Sequence, residues 1–209
     1  MAVLEKISDI ELGKIHTLGY FLGSFDPLHQ GHIEVVEIIL KEKLCDCVFV
    51  YCVNGQGTYK QRSDFIERTK MCEFHFGNRK NVLISYMNPI EIQKKLVYEK
   101  GGLSFPKFVK KITGIFGSDI AIKLERPNKD ENLEKIRMQR QKDFMRGYIL
   151  SDDSDSISCS ICLPAADFIV ALRNNNSSDE IPDTVCDRKV RAIINTNKHR
   201  FVSSSKIRA

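Results

Sequence analysis

Tryptophan is absent from the 209 residues, so an aromatic ring bound by this chain can stack only on phenylalanine, tyrosine or histidine. No apolar run approaches the ~20 residues that span a bilayer, and the N-terminus lacks the basic-then-apolar pattern of a secretory signal. A soluble, cytoplasmic chain with no membrane partner is expected. A strong excess of either charge is also missing: 32 Lys and Arg stand against 27 Asp and Glu, a formal net charge of +5. That surplus suits a small anion and is too modest to imply DNA or RNA binding. A second cysteine pair at finger-like spacing is lacking, so Cys159-Ser160-Ile161-Cys162 supplies only half of a four-ligand zinc site. The seven cysteines (Cys45, Cys47, Cys52, Cys72, Cys159, Cys162, Cys186) are odd in number and lack a secretory signal, so reduced thiols are expected. The sequons at Asn175 and Asn176 carry little weight in such a chain.

What is present suffices for one α/β domain. Apolar residues make up 42% and charged residues 28%, ordinary globular values, and the length accommodates one substantial core rather than two. Leu18 to Leu22 reads as a buried strand, and Ile33, Val35, Val36, Ile38, Ile39 and Leu40 follow mostly at helical spacing. Cys47 to Val53 is a second β-rich run, which makes an opening βαβ unit. Ser63 offers an N-cap to a helix running towards Phe76, and Val82 to Ser85 resumes a strand. Short helices are expected around Ile90 to Glu99 and Phe105 to Lys110, then strands at Ile112 to Phe116, Phe168 to Leu172 and Val190 to Ile194. Residues Arg126 to Arg146 are highly charged and read as an exposed helix or a partly mobile insertion, which together with the acidic loop at Ser151 to Ser156 sets off 126–158 as a charged insertion. Alternating strands and helices without an internal repeat predict a doubly wound, Rossmann-like parallel sheet.

The segment Gly23-Ser24-Phe25-Asp26-Pro27-Leu28-His29-Gln30-Gly31-His32 joins the first strand to the first helix. In a parallel sheet such a loop lies at the carboxyl edge, where the first helical N–H groups point at a bound anion. His29 ends the loop and His32 falls in the first helical turn, so both rings can face one phosphate, with Gly31 allowing close approach. Imidazole N–H groups donate to phosphoryl oxygens, and imidazolium offsets negative charge that develops on them.

This stretch resembles the signature of the nucleotidyltransferase superfamily with a His-x-Gly-His motif, the cytidylyltransferase-like group, and within it the nicotinamide and nicotinate mononucleotide adenylyltransferases. The resemblance implies binding of ATP with Mg²⁺ on the loop, at Gly23, Ser24, Phe25 and Gly31. An acceptor phosphate then attacks the α-phosphorus in line and pyrophosphate leaves, with His29 and His32 stabilising the phosphates. Phe201-Val202-Ser203-Ser204-Ser205-Lys206-Ile207-Arg208 resembles the family's closing Ile-Ser-Ser-Thr-x-Ile-Arg motif, which implies that Ser204, Ser205 and Arg208 contact the β- and γ-phosphates. Tyr59-Lys60-Gln61-Arg62 and the following Glu67-Arg68-x-x-Met71 resemble the family's lysine loop and its helix, so Lys60 is a catalytic candidate, while Arg68 is read as a structural ion pair or left without a role. Gly117-Ser118-Asp119 resembles a Gly-x-Asp motif in which Asp119 accepts from ribose hydroxyls, the alternative being a helix N-cap. Arg173 matches a position often arginine in mononucleotide adenylyltransferases.

The chain departs from the family in three places. It has Gly57-Thr58-Tyr59-Lys60 in place of Pro-Pro-His-Lys, it has no tryptophan, and it stops at Ala209 where the family continues into a helix, as a truncated chain or one domain of a longer protein would. The acceptor therefore stays open between a pyridine mononucleotide, phosphopantetheine and the substrates of a cytidylyltransferase. Phosphopantetheine enzymes usually carry threonine where His29 stands, and Arg200-Phe201-Val202-Ser203 lacks the Arg-Thr-x-Gly-Ile-Ser-Thr pattern of cytidylyltransferases. A non-catalytic nucleotide-binding domain of a larger protein is the reading from a different class. The oligomeric state is not legible.

Overall fold

The computed structural model describes residues 15–53, 62–86, 109–127, 129–148, 165–172 and 178–196. Strand β1 (Ile15–Gly23) leads through the 23–28 loop into helix α1 (Gln30–Lys41), and β2 (Cys47–Cys52) returns parallel to β1. Helix α2 (Phe65–Phe76) precedes β3 (Val82–Ile84). Strand β4 (Val109–Gly117) runs directly into α3 (Ser118–Glu125), followed by α4 (Glu131–Tyr148) and β5 (Ala165–Ala171). A short hairpin of β6 (Thr184–Val185) and β7 (Arg188–Ile194) completes the described part.

The seven strands order as β3-β2-β1-β4-β5-β7-β6. Every pair is parallel except β6 with β7, which is the doubly wound α/β architecture expected. Both faces are covered, so strands such as Cys-Val-Phe-Val-Tyr-Cys are apolar on both sides. Leu18, Tyr20, Phe49, Ile112, Phe116 and Phe168 pack on the face that α3 covers through Ala121 and Leu124. Phe21, Val48, Val50, Ile115 and Ile169 pack on the opposite face, against Val36 and Ile39 of α1 and Cys72 and Phe76 of α2.

Several expectations require correction. The cap of α2 is Asp64, whose carboxylate accepts from the Ile66 and Glu67 N–H groups at 2.8 and 3.2 Å, because Ser63 is engaged elsewhere. Val109 and Lys110 belong to β4 rather than to a short helix, since their backbone continues the ladder that begins at Ile15–Val109. In the charged stretch read as an exposed helix or a partly mobile insertion, by contrast, residues 131–148 are helical: Asp130 accepts from Asn132 and Leu133, and Arg137 donates to the Leu124 carbonyl at the end of α3 at 2.6 Å. The hairpin turn at Cys186-Asp187, with φ of 48° and 61°, carries none of the glycine or asparagine that usually marks such a turn. Cys45, Cys47, Cys52, Cys72 and Cys186 are thiols rather than disulfides, whereas Cys159 and Cys162 lie outside the described residues.

The amino-edge half of the sheet holds a buried polar cluster. Asp167 on β5 accepts from Thr113 at 2.7 Å, pairs with Lys111, and lies 3.2 Å from the Arg191 guanidinium. Arg191 sits where the β5–β7 register shifts and also donates to the Leu44 carbonyl at 2.6 Å, which joins β7 to the turn before β2. Burial pushes the neighbouring Cys45 thiol up to about 11 in spite of Arg191 beside it. Replacing Asp167 with Ala strands the Thr113 hydroxyl and leaves two cations without their shared carboxylate. We expect a loss of about 2 kcal/mol in urea denaturation, and a smaller loss for Asp167→Asn, which keeps an acceptor for Thr113.

Candidate active site

The strand order reverses between β1 and β4, and the chain leaves their carboxyl ends in opposite directions, opening a crevice there. From β1 it passes through Gly23-Ser24-Phe25-Asp26-Pro27-Leu28 to the head of α1. From β4 it turns at Gly117, the N-cap of α3. Asp119 therefore lies in the first turn of α3 and is not its cap. Its Oδ1 is shielded from solvent and has no hydrogen-bond partner among the described residues.

Phe25 builds the floor of the loop. It adopts a left-handed backbone with φ 44°, and its fully buried ring meets Phe21 edge-on at 5.1 Å and His32 at 5.0 Å. A Cβ on Gly23 would stand 2.8 Å from Phe25 Cζ, so position 23 must be glycine for that ring to pack. The Asp26–Pro27 peptide bond is cis.

His29 is the N-cap of α1, extended at φ −139° and ψ 167°, and His32 is the third helical residue. Their rings stack with centroids 3.7 Å apart and planes inclined by 24°, which sets their edges side by side. Both are buried. The His29 backbone N–H donates to His32 Nδ1 at 3.4 Å, so the neutral His32 ring carries its proton on Nε2 and can donate from that atom. No acidic residue occupies the first turn of α1, which leaves the positive end of the helix dipole uncompensated and suited to an anion.

Two interactions that the sequence does not reveal hold this loop. Asp26, 2% exposed, accepts from the Ser63 N–H at 3.0 Å and from its hydroxyl at 2.7 Å. Arg68, also 2% exposed, makes no ion pair among the described residues; of its two readings, a structural ion pair or no assigned role, the first finds no partner there. Its guanidinium donates to three backbone carbonyls: Ser24 of the loop, Val53 after β2 at 3.2 Å, and Ser63 before α2 at 3.0 Å. The Glu-Arg pattern gave a hint of position but none of these partners, which lie 5, 15 and 44 residues away.

A row of aromatic rings lines the carboxyl end of β2 and β3. Tyr51 lies 6.1 Å from Phe65, and Phe65 meets Tyr86 edge-on at 6.5 Å. The Tyr86 hydroxyl donates to Glu73 at 2.6 Å, and burial together with that carboxylate pushes the phenol up to about 12. The structure thus brings Gly23, Ser24, Phe25, Gly31, His29 and His32 together at one loop, with Gly117 and Asp119 at the neighbouring strand end. Lys60, Arg173, Ser204, Ser205 and Arg208 lie outside the described residues.

Sheet order together with a family match places the chain in the class of Rossmann-like α/β nucleotidyltransferase enzymes. The model of the cytidylyltransferase-like family matches residues 20–209, and the chain belongs to that family. Two structures of Plasmodium falciparum nicotinic acid mononucleotide adenylyltransferase, one complexed with NaAD and one with APC, are similar with TM-scores of 0.55 and 0.52. Each alignment covers 92% of this chain and 82% of that one, at 17% and 18% identity; at such identity the likeness is one of fold. No curated protein matches the sequence. No helix among the described residues is long and apolar enough to cross a membrane.

Asp26 and Ser63 form a pair whose value a double-mutant cycle isolates. Asp26→Ala is expected to lower the free energy of unfolding by about 1–3 kcal/mol. Adding Ser63→Ala should cost much less than it does alone, and full additivity in urea titrations would show that the pair contributes nothing.

Proposed function

We propose that this nucleotidyltransferase moves AMP from MgATP to the phosphate of nicotinate or nicotinamide mononucleotide, releasing pyrophosphate and forming a dinucleotide. The stacked His29–His32 pair at the head of α1, in the crevice where the strand order reverses, is the observation that carries this reading. An acceptor phosphate oxygen attacks the α-phosphorus in line. The new P–O bond forms as the bond to the β-phosphate breaks, and its electron pair leaves with pyrophosphate.

His29 and His32 donate to the phosphate oxygens on which charge accumulates, and being buried they do so with little competition from water. Gly23, Ser24, Phe25 and Gly31 bring backbone close to the phosphates. Gly117 and Asp119 take the ribose, and the shielded Oδ1 of Asp119, without a hydrogen-bond partner among the described residues, suits an acceptor of hydroxyl protons. By family resemblance Lys60, Ser204, Ser205 and Arg208 hold the remaining phosphate oxygens. Mg²⁺ would arrive with ATP as part of the substrate and would offset charge on the triphosphate.

The aromatic row of Tyr51, Phe65 and Tyr86 supports a flat heteroaromatic acceptor in a chain without tryptophan. The P. falciparum enzyme of similar fold, in its complex with NaAD, supports the same acceptor class. CTP is the competing donor, favoured by the family's description.

Pyrophosphate release from ATP and from CTP, each with Mg²⁺, across nicotinate mononucleotide, nicotinamide mononucleotide, phosphopantetheine and simple alcohol phosphates tests the reading. Release is expected with ATP and a pyridine mononucleotide. Release with CTP alone would replace the donor, and silence with ATP still bound would favour a domain that only binds nucleotide. His29→Ala should keep its melting temperature and lose at least about tenfold in turnover, a transition-state contact of ~1.4 kcal/mol or more; unchanged turnover would remove His29 from the mechanism.

A further inference from the structure

We infer that Arg68 is the positioning residue of the 23–28 loop: through its bond to the Ser24 carbonyl it turns the Ser24–Phe25 peptide so that the Phe25 N–H faces the triphosphate. This rests on the reading of that loop as the triphosphate cradle. In a planar trans peptide the C=O and the following N–H point in opposite directions. Arg68 draws the Ser24 carbonyl towards α2, so the Phe25 N–H aims away from α2. The turn needs an external hold, because Phe25 sits at φ 44°, a region that residues with a side chain occupy only when their surroundings impose it.

The same guanidinium holds Val53 and Ser63, the two described flanks of residues 54–61, the segment that carries Lys60. Three carbonyls from separate stretches of chain converge on one planar fork, an arrangement that the single ammonium of lysine cannot reproduce. No carboxylate is paired to it among the described residues, and although the Asp26 carboxylate shares Ser63 with it, the buried charge of Arg68 stands one peptide behind the donor. There it polarises that N–H and raises the local affinity for an anion. Asp26 secures Ser63 independently, so the flank keeps one anchor when Arg68 is changed.

The test uses the 209-residue chain with Arg68→Lys and Arg68→Ala, assayed below their melting temperatures. Calorimetric titration with MgATP and with inorganic triphosphate should show affinities lowered at least about tenfold, and kcat should fall at least about tenfold while KM for the acceptor changes by less than about threefold. Guanidinium ion added to Arg68→Ala should restore part of kcat and should restore none to His29→Ala. A folded Arg68→Lys with unaltered triphosphate affinity and kcat would overturn the inference, as would losses that follow the melting temperature alone without guanidinium rescue. If the unsubstituted protein binds neither MgATP nor triphosphate, the cradle reading fails and this inference falls with it. Should neither variant fold, the ¹⁵N-phenylalanine spectrum of the unsubstituted protein decides. The Phe25 amide is expected to shift on addition of MgATP, and an unmoved Phe25 amide would overturn the inference.

Discussion

Strand β1 is hydrogen-bonded to β2 on one side and to β4 on the other, in parallel register over most of its length. Everything at the carboxyl edge depends on that pairing. Because β1 is central, its backbone groups are consumed within the sheet until Gly23, and only beyond it is the chain free to present polar groups to a ligand. Because its neighbours diverge, α1 leaves towards one face and α3 towards the other, and the two helix starts flank a single crevice. A helix start, with its unpaired N–H groups and positive dipole end, is where a negatively charged nucleotide is bound at least cost.

Burial of polar side chains follows the same division. At the amino-edge half, Asp167 gathers Thr113, Lys111 and Arg191 and ties β4, β5 and β7 to the turn before β2. One carboxylate there is shared by two cations. At the carboxyl edge the guanidinium of Arg68 is satisfied by backbone carbonyls instead, which neutralises its hydrogen-bonding needs without neutralising its charge. The first arrangement braces the sheet; the second ties the 23–28 loop to both described flanks of residues 54–61.

The packing of the loop couples stability to geometry. Gly23 lacks a Cβ because the Phe25 ring occupies that space, the Phe25 ring edges against His32, and His32 stacks on His29. A chain of contacts therefore runs from a glycine that ends a strand to the two imidazoles. A side chain at position 23 would shift the rings that orient the histidines, although no atom of that side chain need touch a ligand.

The sheet, its α/β class and the strand-loop-helix with two histidines were legible in the sequence, because short continuous apolar runs, apolar positions at helical spacing and short-range motifs are local properties. Local reasoning failed where a distant partner decided. Ser63 could cap α2 by its chemistry, but Asp26, 37 residues away, engages it and Asp64 caps instead. Arg68 suggested an ion pair, but burial placed three carbonyls around it. Val109 and Lys110 sit at the margin of a mixed stretch and become strand because β1 offers them a ladder. The sequence by itself determined which groups could do the chemistry and which segments could be strands or helices. Only the tertiary structure decided which of those groups meet, since hydrogen bonds and charges act over a few ångströms while their partners are tens of residues apart along the chain.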